Sequence, residues 1–119
     1  MVVTMTVKRI KPNILSGSFE ASRAFYKGVI GLDEGNGLDW ILFFGGDSRE
    51  VQLSVMKLDI AAHIHPDVSM EVDDVDAVHD RAVAAGADIV YPLTDEDWGI
   101  RRFFVCDPDG AVINVTQHQ

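Results

Sequence analysis

Hydrophobic and polar positions along this chain fall into one pattern written twice. In the first copy, Val3 to Leu15 reads as a strand with mixed alternation. Ser18 stands where an N-cap belongs, ahead of a helix predicted over Phe19 to about Val29. Phe25 and Val29 lie one turn apart on its apolar face, flanked by Tyr26 and Ile30, and Gly31 supplies the stop. Three strands are predicted next, at Leu32 to Gly35, Trp40 to Phe44 and Val51 to Met56. Asn36-Gly37 and Gly45-Gly46-Asp47 are the turns between them.

The second copy follows a loop from Leu58 to Pro66. Val68, Met70 and Val72 alternate as a strand. Asp73 or Asp74 can cap a helix from Val75 to Ala85, whose apolar stripe is Val75, Val78, Ala82 and Ala85. Gly86 stops it, about 55 residues after Gly31, which sets the repeat length. Strands are predicted at Asp88 to Tyr91, Arg101 to Cys106 and Ala111 to Thr116. The last two are joined by Asp107-Pro108-Asp109-Gly110, with proline and glycine where a type I turn prefers them. Asp95-Glu96-Asp97 reads as a solvated acidic loop.

The order strand, helix, three strands, stated twice, predicts an α+β fold. Two βαβββ modules, residues 1–57 and 67–119 approximately, would form curved mixed sheets around a cleft within one domain spanning 1–119. One copy alone leaves a concave sheet face uncovered, and a cleft lined by inward-facing strand positions is where a ligand would go.

Several stretches, taken in order and spacing, resemble the vicinal oxygen chelate superfamily, which includes glyoxalase I, extradiol dioxygenases and bleomycin-resistance proteins. Glu20-Ala-Ser-Arg-Ala-Phe-Tyr-Lys-Gly-Val-Ile-Gly-Leu32 is similar to its first helix and helix stop. Glu71-Val-Asp-Asp-Val-Asp-Ala77 is similar to the entry of its second helix, Ala84-Ala-Gly-Ala87 to that helix's exit, and Asp107-Pro-Asp-Gly110 to its last hairpin. The resemblance implies this fold and a homodimer.

Metal-dependent members of that superfamily take ligands from the first and last strand of each copy, usually histidine, glutamate or glutamine, histidine and glutamate. Carried over by spacing, these positions fall on Lys11, Gln52, Asp67 and Asn114. A protonated lysine is a poor ligand, and asparagine is a weak neutral donor for zinc, iron or nickel. No cofactor or metal is therefore expected. If a metal were bound, its ligands would come from His65, Gln52 and Asp67, a register error moving His65 to the ligand position in place of Asp67. His63 and His65 otherwise read as surface-loop residues. His79 reads as a partly exposed helix residue and His118 as part of a frayed tail.

Ligand contact falls more naturally to Trp40 and Trp98, whose rings suit an aromatic or cationic ligand. Strand alternation puts Arg102, Phe104 and Cys106 on one face. The resemblance points Arg102 and Phe104 into the cleft, where Arg102 needs a partner such as Asp67, Glu71 or an anionic ligand. The expected ligand contacts are thus Trp40, Gln52, Asp67, Trp98, Arg102, Phe104 and Asn114. No nucleophile motif, phosphate loop or paired cysteine is present, and no catalytic residue is assigned.

Composition narrows the picture. The net charge of −9 argues against nucleic-acid and anionic-membrane partners, and suits a cationic ligand as well as simple solubility. No apolar run approaches the roughly 20 residues that span a bilayer. The N-terminal charges follow a short apolar stretch, the wrong order for a signal peptide. A single cysteine, Cys106, expected as a small buried side chain, fits a reducing cytoplasm. Together these features predict a cytoplasmic, metal-independent binder of a small molecule, resembling bleomycin-resistance proteins. The alternative is a metal-dependent lyase, isomerase, thiol transferase or dioxygenase with an atypical ligand set.

Overall fold

The computed structural model of this protein describes residues 6–47 and 50–119. They contain eight strands and two helical elements, in the order strand, helix, three strands, repeated. They group into two compact units: Lys11–His65, and the residues up to Ile10 together with Pro66–Gln119.

In the first unit, β1 (Val7–Leu15, its last five residues here) lies parallel to β4 (Leu53–Met56). Strand β3 (Ile41–Gly45) pairs antiparallel with β4, and β2 (Asp33–Glu34) antiparallel with β3. The expected start of β1 at Val3 lies outside the described residues. In the second unit the same arrangement recurs. β5 (Val68–Val72) is parallel to β8 (Val112–His118), β7 (Ile100–Cys106) antiparallel to β8, and β6 (Asp88–Asp95) antiparallel to β7. The fold is the expected α+β with two βαβββ copies.

Each sheet has one face packed by its helix. In the second unit α2 (Val75–Ala84) is capped by the Asp74 carboxylate, which accepts from Ala77 N at 3.1 Å. Its Val75 is fully buried with Val72, Phe103 and Val115, and Val78 and Ala82 pack against them. Ala85, expected on this stripe, is exposed, because the helix ends before it.

The first unit departs from expectation. Ser18 Oγ caps the helix by accepting from Ala21 N, but regular α-helix (α1) covers only Phe19–Arg23. Ala24–Ile30 continues as a π-helix, ending where Gly31 takes the left-handed conformation, φ 92°, and its N–H reaches back five residues to Tyr26 O. This wider winding turns the wrong pair outward. Phe25 and Val29 are exposed, at 48% and 71%. Phe19, Tyr26 and Leu32 pack on the buried Leu42, Phe44 and Val55 instead.

The outermost strands are irregular. β2 has two residues, both acidic. β6 contains Pro92 and two register shifts, between Ile89 and Tyr91 and between Tyr91 and Thr94. Among the described residues no helix is long and apolar enough to cross a membrane.

Candidate functional site

Period-two alternation decides what the second sheet shows on the face away from α2. Phe103 and Val115 go to the helix, so Arg102, Phe104, Asn114 and Thr116 go to the other side. Register places them in two cross-strand pairs, Arg102 with Thr116 and Phe104 with Asn114. On the other flank of β8, Ser69 lies beside Asn114 and Glu71 beside Thr116. The resulting strip is polar and yet buried: Ser69, Arg102, Asn114 and Thr116 are each less than 9% exposed.

Arg102 anchors this strip. Its guanidinium holds Glu96 through Nε at 2.8 Å and an N–H2 nitrogen at 2.6 Å. The two side chains are 2% and 6% exposed. Tyr91 Oη donates to the same carboxylate at 3.2 Å. Three rings surround the cation, Phe104 at 4.9 Å, Trp98 at 5.1 Å and Tyr91 at 5.3 Å from centroid to Cζ. A buried guanidinium is tolerable only with such a partner, and the aromatic faces add a favourable quadrupole term.

Glu96 was expected in a solvated acidic loop, and Arg102 was expected to pair with Asp67, Glu71 or an anionic ligand. Both expectations are corrected by the β6–β7 hairpin. Its register pairs Asp95 with Arg101 and Thr94 with Arg102, so Glu96, just past the end of β6, folds back over Arg102. Asp67 instead accepts from Val112 N at 2.8 Å, tying the start of β8 to β5. Glu71 meets Arg9 at 3.2 Å. Neighbouring Arg101 points the other way, to Asp76 and Asp95. Its hydrogen bonds hold the Asp76 carboxyl below the ordinary value of 3.8.

Two polar atoms of the strip have no partner. Asn114 Nδ2 donates to Ser69 Oγ at 3.1 Å, but Asn114 Oδ1 is buried without a hydrogen bond, as is Thr116 Oγ1. In the first unit, the buried Ser54 Oγ and the half-buried His65's Nδ1 are in the same condition.

The remaining candidates are scattered over the two units. Lys11 Nζ sits 4.5 Å over the Phe43 ring. Gln52 is exposed, its side-chain oxygen accepting from Gly46 N at 3.0 Å. Trp40 is half-buried in the turn before β3. Trp98 lies in the β6–β7 turn, 37% exposed. His65 Nε2 is 2.9 Å from Asn13 O, and His63 is exposed with φ 58°. His79 packs edge-on against Phe103. His118 closes β8 as an exposed strand residue, paired with Ile100 rather than frayed. Cys106 is half-buried, and burial, then Asp88, Asp107 and Asp67, push its thiol up and away from the reactive thiolate.

The four positions of the metal ligand set do not fit a transition metal. Lysine, glutamine, aspartate and asparagine include one good anionic donor, and that carboxylate is engaged by a backbone amide. Among the described residues no three His, Cys, Asp or Glu side chains converge as metal ligands.

A sequence model of the glyoxalase/bleomycin resistance protein/dioxygenase superfamily matches residues 7–115. Comparison with curated proteins finds no match. Among solved structures, the chain is similar to a member of that superfamily from Vibrio splendidus 12B01. The identity is 20%, the TM-score 0.73, and 96% of this chain and 100% of that one are covered. It is also similar to the Mn(II)-bound glyoxalase from Novosphingobium aromaticivorans, at 20% identity and TM-score 0.67, covering 96% of this chain and 40% of that one. An extradiol ring-cleaving dioxygenase from B. fuscum aligns at 17% identity and TM-score 0.69, over 95% of this chain and 33% of that one. At these identities the likeness is one of fold.

Proposed function

We propose a function from one premise: this chain belongs to the glyoxalase/bleomycin resistance protein/dioxygenase superfamily. On that premise it is a small-molecule-binding protein that works without a metal ion, as bleomycin-resistance proteins bind their ligand. The observation that carries this reading is the composition of the ligand-set positions. Lys11 stacks on Phe43, Gln52 and Asp67 each accept from a backbone amide, and Asn114 donates to Ser69. These residues are already used in ways that leave no anionic cage for a divalent ion.

The proposed contacts of the second unit centre on Arg102, Phe104 and Asn114, with Trp98 beside them in the β6–β7 turn. Arg102 is a positioning residue as well as a contact. Its ion pair with Glu96 fixes the turn that carries Trp98. Homodimer formation and a cytoplasmic location belong to the same reading.

Elemental analysis of untagged protein, grown with manganese, iron, nickel and zinc, tests it. Far less than one equivalent of each metal is expected. A stoichiometric metal that survives dialysis would overturn the reading and favour the metal-dependent lyase or dioxygenase alternative.

A further inference from the structure

We infer that the polar strip of the second unit selects an uncharged aromatic ligand that donates hydrogen bonds, such as a primary carboxamide or a phenol. Cations and anions of the same shape are disfavoured. The inference rests on the binding reading above and names the chemistry that the site would accept.

The first ground is the pair of unpartnered atoms. Asn114 and Thr116 are 8% and 7% exposed, and they stand two residues apart on β8, hence on one face. Asn114 commits its Nδ2 to Ser69, which leaves its oxygen as the open group, and an oxygen accepts. The Thr116 hydroxyl accepts or donates. Buried polar groups are almost always satisfied, so two orphans side by side call for a donor brought from outside. A ligand N–H or O–H is such a donor.

Charge sets the second ground. The charged side chains described at the strip have counter-ions: Arg102 has Glu96, and Glu71 has Arg9 at 3.2 Å. An incoming ammonium would meet neutral oxygens here, and an incoming carboxylate would meet acceptors. Either ion would lose its hydration without gaining a paired charge. The net charge of −9 therefore does not make the ligand a cation.

The third ground is the apolar flank. Phe104, fully buried, is the cross-strand partner of Asn114, and Tyr91 packs against it with ring centroids 5.2 Å apart. A flat ring whose substituent points at Asn114 Oδ1 matches that juxtaposition.

Four probes of nearly one shape separate the possibilities: benzamide, acetophenone, benzamidine and benzoate. Titration of isotope-labelled protein, followed by NMR at the Asn114 side-chain amide and at Thr116, gives the ranking. Benzamide should bind at least roughly ten-fold more tightly than acetophenone, which lacks the donor, and than either ion. Thr116→Val and Asn114→Leu should each erase that preference. Because Thr116→Val removes a buried hydroxyl with no partner and breaks no hydrogen bond of Asn114, it should also melt at or above the wild-type temperature. Tighter binding of benzamidine or benzoate at these residues would overturn the inference while leaving the binding reading intact. A Thr116→Val protein that keeps the preference for benzamide, or melts several degrees lower, would overturn it too. The binding reading itself falls on the metal analysis, so the two failures are distinguishable.

Discussion

The two units share one topology and differ in how each is finished. Both place their first strand parallel to their last and cover one sheet face with a helix. In the second unit the helix is a regular ten-residue α-helix, and the opposite face carries a buried ion pair ringed by aromatics. In the first unit the helix loosens into π-winding after one turn, and the opposite face carries a lysine stacked on a phenylalanine. Duplicated architecture thus sets where strands and helices go. It does not set the polar chemistry, which depends on which side chain occupies each matching position.

The strongest test of equivalence is the pair of core aromatics. Phe44 and Phe103 are both 0% exposed and each sits at the centre of its unit's cluster. Phe44→Ala and Phe103→Ala should each cost about 3–5 kcal/mol in urea unfolding. Two distinct unfolding transitions in only one of the variants would show that the units are stabilised separately.

The ion pair should separate the units next. Glu96→Gln leaves the Arg102 charge uncompensated and should cost about 3 kcal/mol, whereas Lys11→Met in the first unit should change stability by about 0.5–1 kcal/mol at most. The double variant Arg102→Met with Glu96→Met should recover most of the loss. If it unfolds as easily as Glu96→Gln, the aromatic ring around the cation, and not charge pairing, holds the hairpin.

Helix capping gives a smaller contrast. Ser18→Ala and Asp74→Ala should each lower stability by about 1 kcal/mol, with the larger effect at Asp74, whose carboxylate also meets the positive end of a full helix. Equal losses by thermal melting would mean that π-winding does not weaken the first helix.

The pH dependence is the finest probe. Arg101 lowers the Asp76 carboxyl in the folded state. The stability from this contact is therefore present above the ordinary value of 3.8 and is lost as pH falls through the lower folded value. Asp76→Asn should flatten the acid limb of the stability profile slightly. An unchanged limb would show that solvent screens the contact.

Much of the fold was legible because strands bury one face and so write a period of two. β3, β5, β7 and β8 fall within a residue or two of their expected bounds for that reason. The first helix misled because Phe25 and Val29 satisfy α-helical spacing while π-winding turns them outward. Alternation put Arg102 and Phe104 on one face of β7, and the register sets them opposite Thr116 and Asn114. Glu96, Tyr91, Ser69 and Thr116 were missed. Glu96 looks like its neighbours Asp95 and Asp97 in sequence, and the bulged register of β6 alone distinguishes it. The signal that could have found it is the need of a buried arginine for a carboxylate from its own hairpin partner. Orphaned atoms such as Asn114 Oδ1 leave no trace in a sequence, since they depend on which side chain a neighbour already satisfies.

The irregular outer strands have a consequence for how the chain behaves among other copies of itself. An open β-edge offers unpaired N–H and C=O groups to any passing strand. Here β2 is too short and too acidic to serve as a template, and β6 interrupts its own ladder with Pro92 and two shifts of register. Strand-by-strand growth into fibres is thereby blocked at both places, and a concentrated solution is protected against that route to aggregation without any change to the face that would hold a ligand.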